Sequence, residues 1–205
     1  MPQTSSAKSV RMPAEQRREQ LLDVTRAIVG ADGFHAVSIE RVAREAGVTR
    51  PIVYGHFGDL PGLLHALVDR EGMRALIQLA EILPPEGAPG DPRELMLVAL
   101  RGYLDAVRRD PVTWRLVLMP PEGAPPVLRE RIAEGRAAAI AQLARLTGPG
   151  LARRGGAASP DPELTGRTLS TLADESARLI LTEPDRYSIE RIMVHAKWLL
   201  DQLGN

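Results

Sequence analysis

Residues 38–57 read Ser38-Ile-Glu-Arg-Val-Ala-Arg-Glu-Ala-Gly-Val-Thr-Arg-Pro-Ile-Val-Tyr-Gly-His-Phe57, and this stretch decides the fold. Ser38 is placed to cap a helix of about eight residues, in which the apolar positions Ile39, Val42, Ala43 and Ala46 recur at three- and four-residue spacing. Gly47 stands where a left-handed residue ends such a helix. Val48 then plugs inward, Thr49 is placed to cap a second helix starting at Arg50, and Pro51 falls in its first turn, where a missing N–H has no intrahelical partner to lose. Ala43 is small where the two helices must approach, and Ile52 or Val53, with Phe57, seats the second helix on the core. Arg50, Pro51, Tyr54, Gly55 and His56 remain for the outer face. Two such helices form a helix-turn-helix. A second helix that offers Arg, Tyr and His from its first turns suits the major groove of B-DNA, with base edges read near its N-terminus and phosphates touched on the flanks. The same spacing also occurs in helical hairpins buried in proteins that bind no nucleic acid, so the surrounding chain has to decide.

The surroundings point one way. Residues 37–67, with Ala43-Arg-Glu-Ala-Gly-Val-Thr49, Tyr54-Gly-His-Phe57 and then an Asp59-led helix carrying Leu63-Leu64, resemble the DNA-binding domain of TetR-family transcriptional repressors. The motif covers about the first third of the chain. The resemblance implies an all-α fold of about nine helices: a three-helix DNA-binding head over residues 13–58 and a helical ligand-binding and dimerisation domain over 59–205. It also implies that Arg50, Pro51 and Ile52 match base-reading positions, and that Tyr54 and His56 match phosphate-contacting ones. Ser38, Arg41, Thr49 and Gly55 complete the DNA-facing candidates. Two positions depart from the family pattern. Leu60 stands where many relatives place a Lys beside a phosphate, and Gly55 offers no side chain to read a base.

Charge is balanced over the whole chain, at a formal net of zero, but not along it. Residues 1–58 carry eight Lys/Arg against six Asp/Glu, and a dimer would present that surplus of +2 twice. With 205 residues and 44% apolar content the chain can bury a sizeable core. It has no cysteine, which excludes disulfides, thiolate metal sites and thiol nucleophiles. The N-terminus lacks an apolar signal-like region, and no run approaches the roughly 18 apolar residues of a membrane span. A cytoplasmic protein is expected.

Residues 1–12 are small, polar and basic and read as a disordered arm, from which Lys8 and Arg11 either reach the neighbouring groove or stay free. A helix opens at Pro13 and carries Leu21, Leu22, Val24, Ile28 and Val29 to Gly30 and Gly33, with Arg17 and Arg18 on its solvated side. Asp59 caps a long fourth helix reaching about Leu83, and the Pro/Gly-rich residues 84–92 form a loop. A fifth helix follows over Pro92 to Arg109, then a short apolar one over Val112 to Met119 and another over Val127 to Leu146; Gly148 to Pro162 reads as a linker. The last two helices, Pro162 to Thr182 and one capped by Ser188, each have more apolar width than one protomer needs. By resemblance they pair with their symmetry mates through Leu169, Leu172, Ala173, Ser176, Ala177, Ile192, Leu199 and Leu200; packing within one chain is the other reading.

Catalytic chemistry finds no foothold. The four histidines lack metal-ligand spacing, and there is no phosphate-cradling Gly-rich loop and no nucleophile elbow, so no catalytic residue, metal or cofactor is expected. What the middle helices offer is Met96, Leu100, Tyr103, Trp114, Leu118, Met119, Ile140 and Leu143, which suit an adaptable apolar pocket as well as a plain core. Glu175 and Arg178, next to Asp174, are the candidate polar groups to orient a ligand there, although charge pairs at this spacing are ordinary on a helix surface. The leading expectation is a ligand-responsive repressor that binds a palindromic operator as a dimer and takes a small-molecule effector. A helical module that only binds small molecules is the alternative, with a helical enzyme well behind.

Overall fold

The structure, a computed structural model, describes residues 12–85, 87–119, 126–153 and 161–204. Among these residues there are nine α-helices and no strand. The expected arm, with Lys8 and Arg11, lies outside the described residues except for Met12. The chain divides into two units, Met1–Leu67 and Val68–Asn205. The division falls nine residues later than the sequence places it, because Leu63 and Leu67 are fully buried in the first core.

The first unit holds α1 (Ala14–Asp32), a single 3-10 turn at Phe34–Ala36, α2 (Ile39–Glu45), α3 (Arg50–Phe57) and the opening turns of α4 (Leu60–Ile82). Helix α1 runs through Gly30 and stops at Gly33, whose φ of 82° is open to glycine alone without strain. Leu21, Leu22 and Ile28 from α1 meet Val42 from α2 and Val53 from α3 in one core. Arg18, expected on a solvated face, instead lays its guanidinium over the Phe57 ring, 4.8 Å from the centroid.

The second unit contains the rest of α4 with α5 (Pro92–Arg109), α6 (Pro111–Leu118), α7 (Pro126–Arg153), α8 (Pro162–Thr182) and α9 (Ile189–Gly204). Asp91 caps α5 by accepting from the Arg93 N–H at 3.0 Å, and Asp161 caps α8 in the same way. Helix α7 continues through Gly148, Pro149 and Gly150 to Arg153, so that part of the linker read from composition is helical, and residues 154–160 lie outside the described residues; Pro149 forgoes one backbone hydrogen bond. Helices α7 and α8 share the most extensive packing of the unit and come closest at Gly166, where a Cβ would lie 2.7 Å from the Ile140 carbonyl oxygen. Helix α5 takes both α8 and α9 against it. Its Ala99, Tyr103, Leu104, Ala106 and Val107 are buried, while Val98 is 68% exposed.

A buried carboxylate ties α4 to α6. Glu71 is inaccessible to solvent, and it accepts hydrogen bonds from the Thr113 hydroxyl and from Arg70 and Arg74, each at 3.1 Å. About two turns further along α4, Gln78 Oε1 accepts from the Trp114 indole N–H at 3.0 Å. A carboxylate removed from water is tolerated because it is paired and hydrogen-bonded on both oxygens.

Candidate functional site

The turn of the helix-turn-helix is built from the backbone outward. The Ser38 hydroxyl accepts from the Arg41 N–H at 3.1 Å and so caps α2. At the other end Gly47 has φ 67°, and its N–H and that of Val48 donate to the carbonyls of Arg44 and Ala43 at 3.2 and 2.9 Å. Both ends of α2 are thereby satisfied, and the chain leaves it in a fixed direction. Thr49 takes the capping position of α3, but its hydroxyl bonds to no helix N–H. Pro51 offers no N–H, and the next donor, the Ile52 N–H, goes to the Thr49 carbonyl at 3.0 Å. Past the far end of α3, Asp59 caps α4 through the Gly62 N–H at 2.7 Å. A Cβ on Gly62 would lie 2.1 Å from the Phe57 carbonyl oxygen.

Helix α3 therefore hangs from one anchor. Val53 is fully buried and Phe57 packs beside it, which settles that Ile52, 38% exposed, belongs to the outward set. Arg50, Pro51, Ile52, Tyr54 and Gly55 are exposed, and His56 is half-buried at their edge. Arg50 is not free in this face: its Nη1 sits 3.1 Å from Glu40 Oε1 on α2. The Glu40 carboxyl is held below its usual range, first by a backbone hydrogen bond and then by the one from Arg50. Arg41 is more committed still. It bridges Glu45 at 2.7 Å and Asp32 at 2.5 Å, which raises its pKa and clamps the end of α1 to α2. The sequence placed Arg41 among the DNA-facing residues and gave no sign of this clamp.

The second unit contains a partly open cavity of about 240 Å³ between α4, α5, α6, α7, α8 and α9. Of the expected pocket residues, Met96, Leu100, Tyr103, Trp114, Leu118 and Leu143 line it. Four do not. Ile140 is buried where α7 crosses α8 at Gly166, and Met119 lies beyond the end of α6, where its φ of −134° breaks the helical register. Glu175 and Arg178 pair with each other at 3.3 Å on the outside of α8, and Arg178 also donates to the Leu118 carbonyl at 3.3 Å. Helical rotation explains this correction: Ser170, Ala173 and Asp174 share a stripe that Glu175, one residue on, leaves.

The polar end of the cavity is thus Asp174, with Tyr103 and Arg136. The Tyr103 hydroxyl donates to Asp174 Oδ1 at 3.2 Å, and the Arg136 guanidinium pairs with Oδ2. Burial, then the Asp174 charge, pushes the Tyr103 phenol well above 10.0, so it stays a donor. Its ring meets Trp114 edge-on, 5.0 Å between centroids. Arg136 lies on α7 in a run of Arg and Ala, where sequence alone had no means of marking it.

The residues expected to meet a second copy divide. Ala177 is fully buried inside its own protomer against α5, which removes it from any outer surface. Leu169, Leu172, Ala173, Ser176, Ile192, Leu199 and Leu200 line the cavity. The most exposed apolar side chains on these two helices are Leu164 and Leu172 on α8 and Val194 and Trp198 on α9, the last two 74% and 55% exposed. Among the described residues no group of three or more His, Asp or Glu is placed to hold a metal, and no helix is long and apolar enough to cross a membrane.

Residues 21–67, which contain the helix-turn-helix and its Val53 anchor, match the family described as bacterial regulatory proteins, tetR family. The chain is 27% identical over 107 residues to the HTH-type transcriptional activator FasR of Mycolicibacterium smegmatis (strain ATCC 700084 / mc(2)155), covering 52% of this chain and 48% of that protein. It is 37% identical over 93 residues to the HTH-type transcriptional regulator BetI of Yersinia pestis (strain Pestoides F), covering 43% and 44%. The chain spans about half the length of these curated relatives. Over nearly the whole chain the likeness is one of fold. The crystal structure of the transcriptional regulator FadR from Bacillus subtilis in complex with stearoyl-CoA superposes with a TM-score of 0.64 over 91% of this chain and 98% of that one, at 15% identity. These relatives are transcription regulators, and residues 21–67 of the chain carry the helix-turn-helix region of the family described as bacterial regulatory proteins, tetR family.

Proposed function

We propose that the protein is a ligand-responsive transcriptional repressor. In this reading it binds a near-palindromic operator as a homodimer and is released when a small, mostly apolar effector fills the cavity of the second unit. The observation that carries the DNA-binding half is the outward face of α3, where Arg50, Pro51, Ile52 and Tyr54 are exposed while Val53 anchors the helix from behind. Arg50 at the helix start is suited to a bidentate contact with guanine O6 and N7, and Tyr54 and His56 to phosphate.

Two further features support the finer parts of the reading. Leu164, Leu172, Val194 and Trp198 leave α8 and α9 with apolar surface that one protomer does not cover, which fits an isologous dimer. The cavity, walled mainly by Met, Leu and aromatic side chains, with the Asp174, Tyr103 and Arg136 cluster and His195 among its few polar groups, fits an effector with a large apolar body. The FadR of similar fold was solved with stearoyl-CoA, a ligand of that general character. Release requires only that the effector bind more tightly to the conformer that binds DNA less well.

Selection of duplexes from a randomised pool by the purified protein tests the DNA-binding half. The expected product is a near-palindrome with half-sites about one helical turn, or a multiple of it, apart. Recovery of no preferred sequence at moderate salt, or of an unpaired single site, would count against it.

A further inference from the structure

The polar end of the cavity holds one ion pair whose two members are unequally placed. Asp174 has 16% of its side chain exposed and is fixed on its other oxygen by the Tyr103 hydroxyl; Arg136 is 44% exposed and projects from the neighbouring helix. Arg136 can therefore move off into water at little cost, whereas Asp174 cannot follow it. Stripping a largely buried carboxylate of its partner leaves its charge uncompensated, which is far more expensive than the pair itself is favourable.

That asymmetry fixes which ligand charge the site accepts. An anionic head would compete with Asp174 for the Arg136 guanidinium and bring a second negative charge close to a largely buried carboxylate. A cationic head replaces Arg136 and keeps Asp174 paired throughout. Resting on the reading of the cavity as the effector site, we propose that the effector is an apolar cation, an amine or amidine on a hydrocarbon body. Its charged nitrogen takes the place of Arg136 against Asp174, and Arg136 is the place-holder of the empty site. The Tyr103 hydroxyl, locked in its protonated form by burial, keeps the carboxylate aimed at that nitrogen.

The test compares three probes that share an octyl chain and differ in the head: octylammonium, octanol and octanoate, titrated at pH 7.5 into the full-length protein. Trp114 fluorescence is the signal, read in a Trp198→Phe background because the chain has just two tryptophans. Octylammonium is expected to bind about tenfold tighter than octanol, and octanoate weaker than both. Asp174→Asn should bring octylammonium to within about twofold of octanol and leave octanol itself unchanged, while Arg136→Gln should strengthen octylammonium by removing its competitor. If Asp174→Asn fails to fold, the wild-type ranking and Arg136→Gln carry the test. Octanoate binding at least as well as octylammonium, or a preference for the cation that survives Asp174→Asn, would overturn the assignment and leave the cavity as an effector site of another class. Binding of none of the three would overturn the effector site itself, and this assignment with it.

Discussion

Arg50 Nη1 lies 3.1 Å from Glu40 Oε1, so the first residue of the recognition helix is held by a carboxylate on the helix before it. Both side chains are more than half exposed, which makes the pair weak and easily exchanged. To reach guanine, Arg50 has to give up Glu40. Glu40→Gln should therefore tighten binding to the selected operator, by no more than about fivefold, and should also strengthen binding to unrelated duplex because a negative charge is lost near the phosphates. Fluorescence anisotropy against both duplexes measures it; weaker operator binding would mean that Glu40 positions Arg50 instead of competing for it.

Gly62 and Gly55 make a matched pair for stability. Gly62→Ala drives a methyl group into the Phe57 carbonyl, 2.1 Å away, and should cost the head about 1–3 kcal/mol in urea unfolding. Gly55 has nothing within 4 Å of an added Cβ, so Gly55→Ala should stabilise by up to about 1 kcal/mol. Equal effects of the two changes would show that the α3–α4 approach is looser than its geometry.

Alkaline unfolding reports on Tyr103. Its folded pKa is raised above 10.0, chiefly by burial, so the folded state binds the phenolic proton more tightly than the unfolded chain does. The stability this contributes is complete below about pH 10 and is lost as pH rises through the unfolded and then the folded value. Tyr103→Phe should lower stability at pH 8 and flatten its fall above pH 10. An unchanged slope in the variant would place the alkaline transition elsewhere.

The proposed dimer makes opposite predictions for residues of α8 and α9. Leu172→Glu and Trp198→Glu alter exposed positions, 44% and 55% accessible, and should yield a folded monomer with poor operator binding. Ala177→Glu buries a charge at a position with no exposure and should unfold the second unit instead. Light scattering with circular dichroism separates the two outcomes; a folded monomer from Ala177→Glu would contradict its burial.

Much of the head was legible because its signals are local. Ser38 as a cap, Gly47 in the left-handed conformation and Pro51 in a first turn are each decided within four residues, and the structure keeps all three. Thr49 failed as a side-chain cap for an equally local reason: Pro51 has no N–H, and the Ile52 N–H goes to the Thr49 carbonyl. The cavity was harder. Periodicity finds an apolar stripe but fixes its rotation only to about one residue, and one residue separates Asp174, which faces the cavity, from Glu175, which does not. Ala177 reads as a small interface residue whether its neighbour is a partner or its own α5. Arg41 and Arg136 are defined by the distant carboxylates Asp32 and Asp174, and no spacing in the sequence announces either pairing.

The central claim is that α3 reads base edges through the face around Arg50. The most direct measurement repeats the duplex selection with Arg50→Ala and compares base preferences position by position. Loss of preference at one base pair in each half-site is predicted, with operator affinity lower by about 1–3 kcal/mol and binding to unrelated duplex less affected. A variant that retains the wild-type preference at every position would contradict the account.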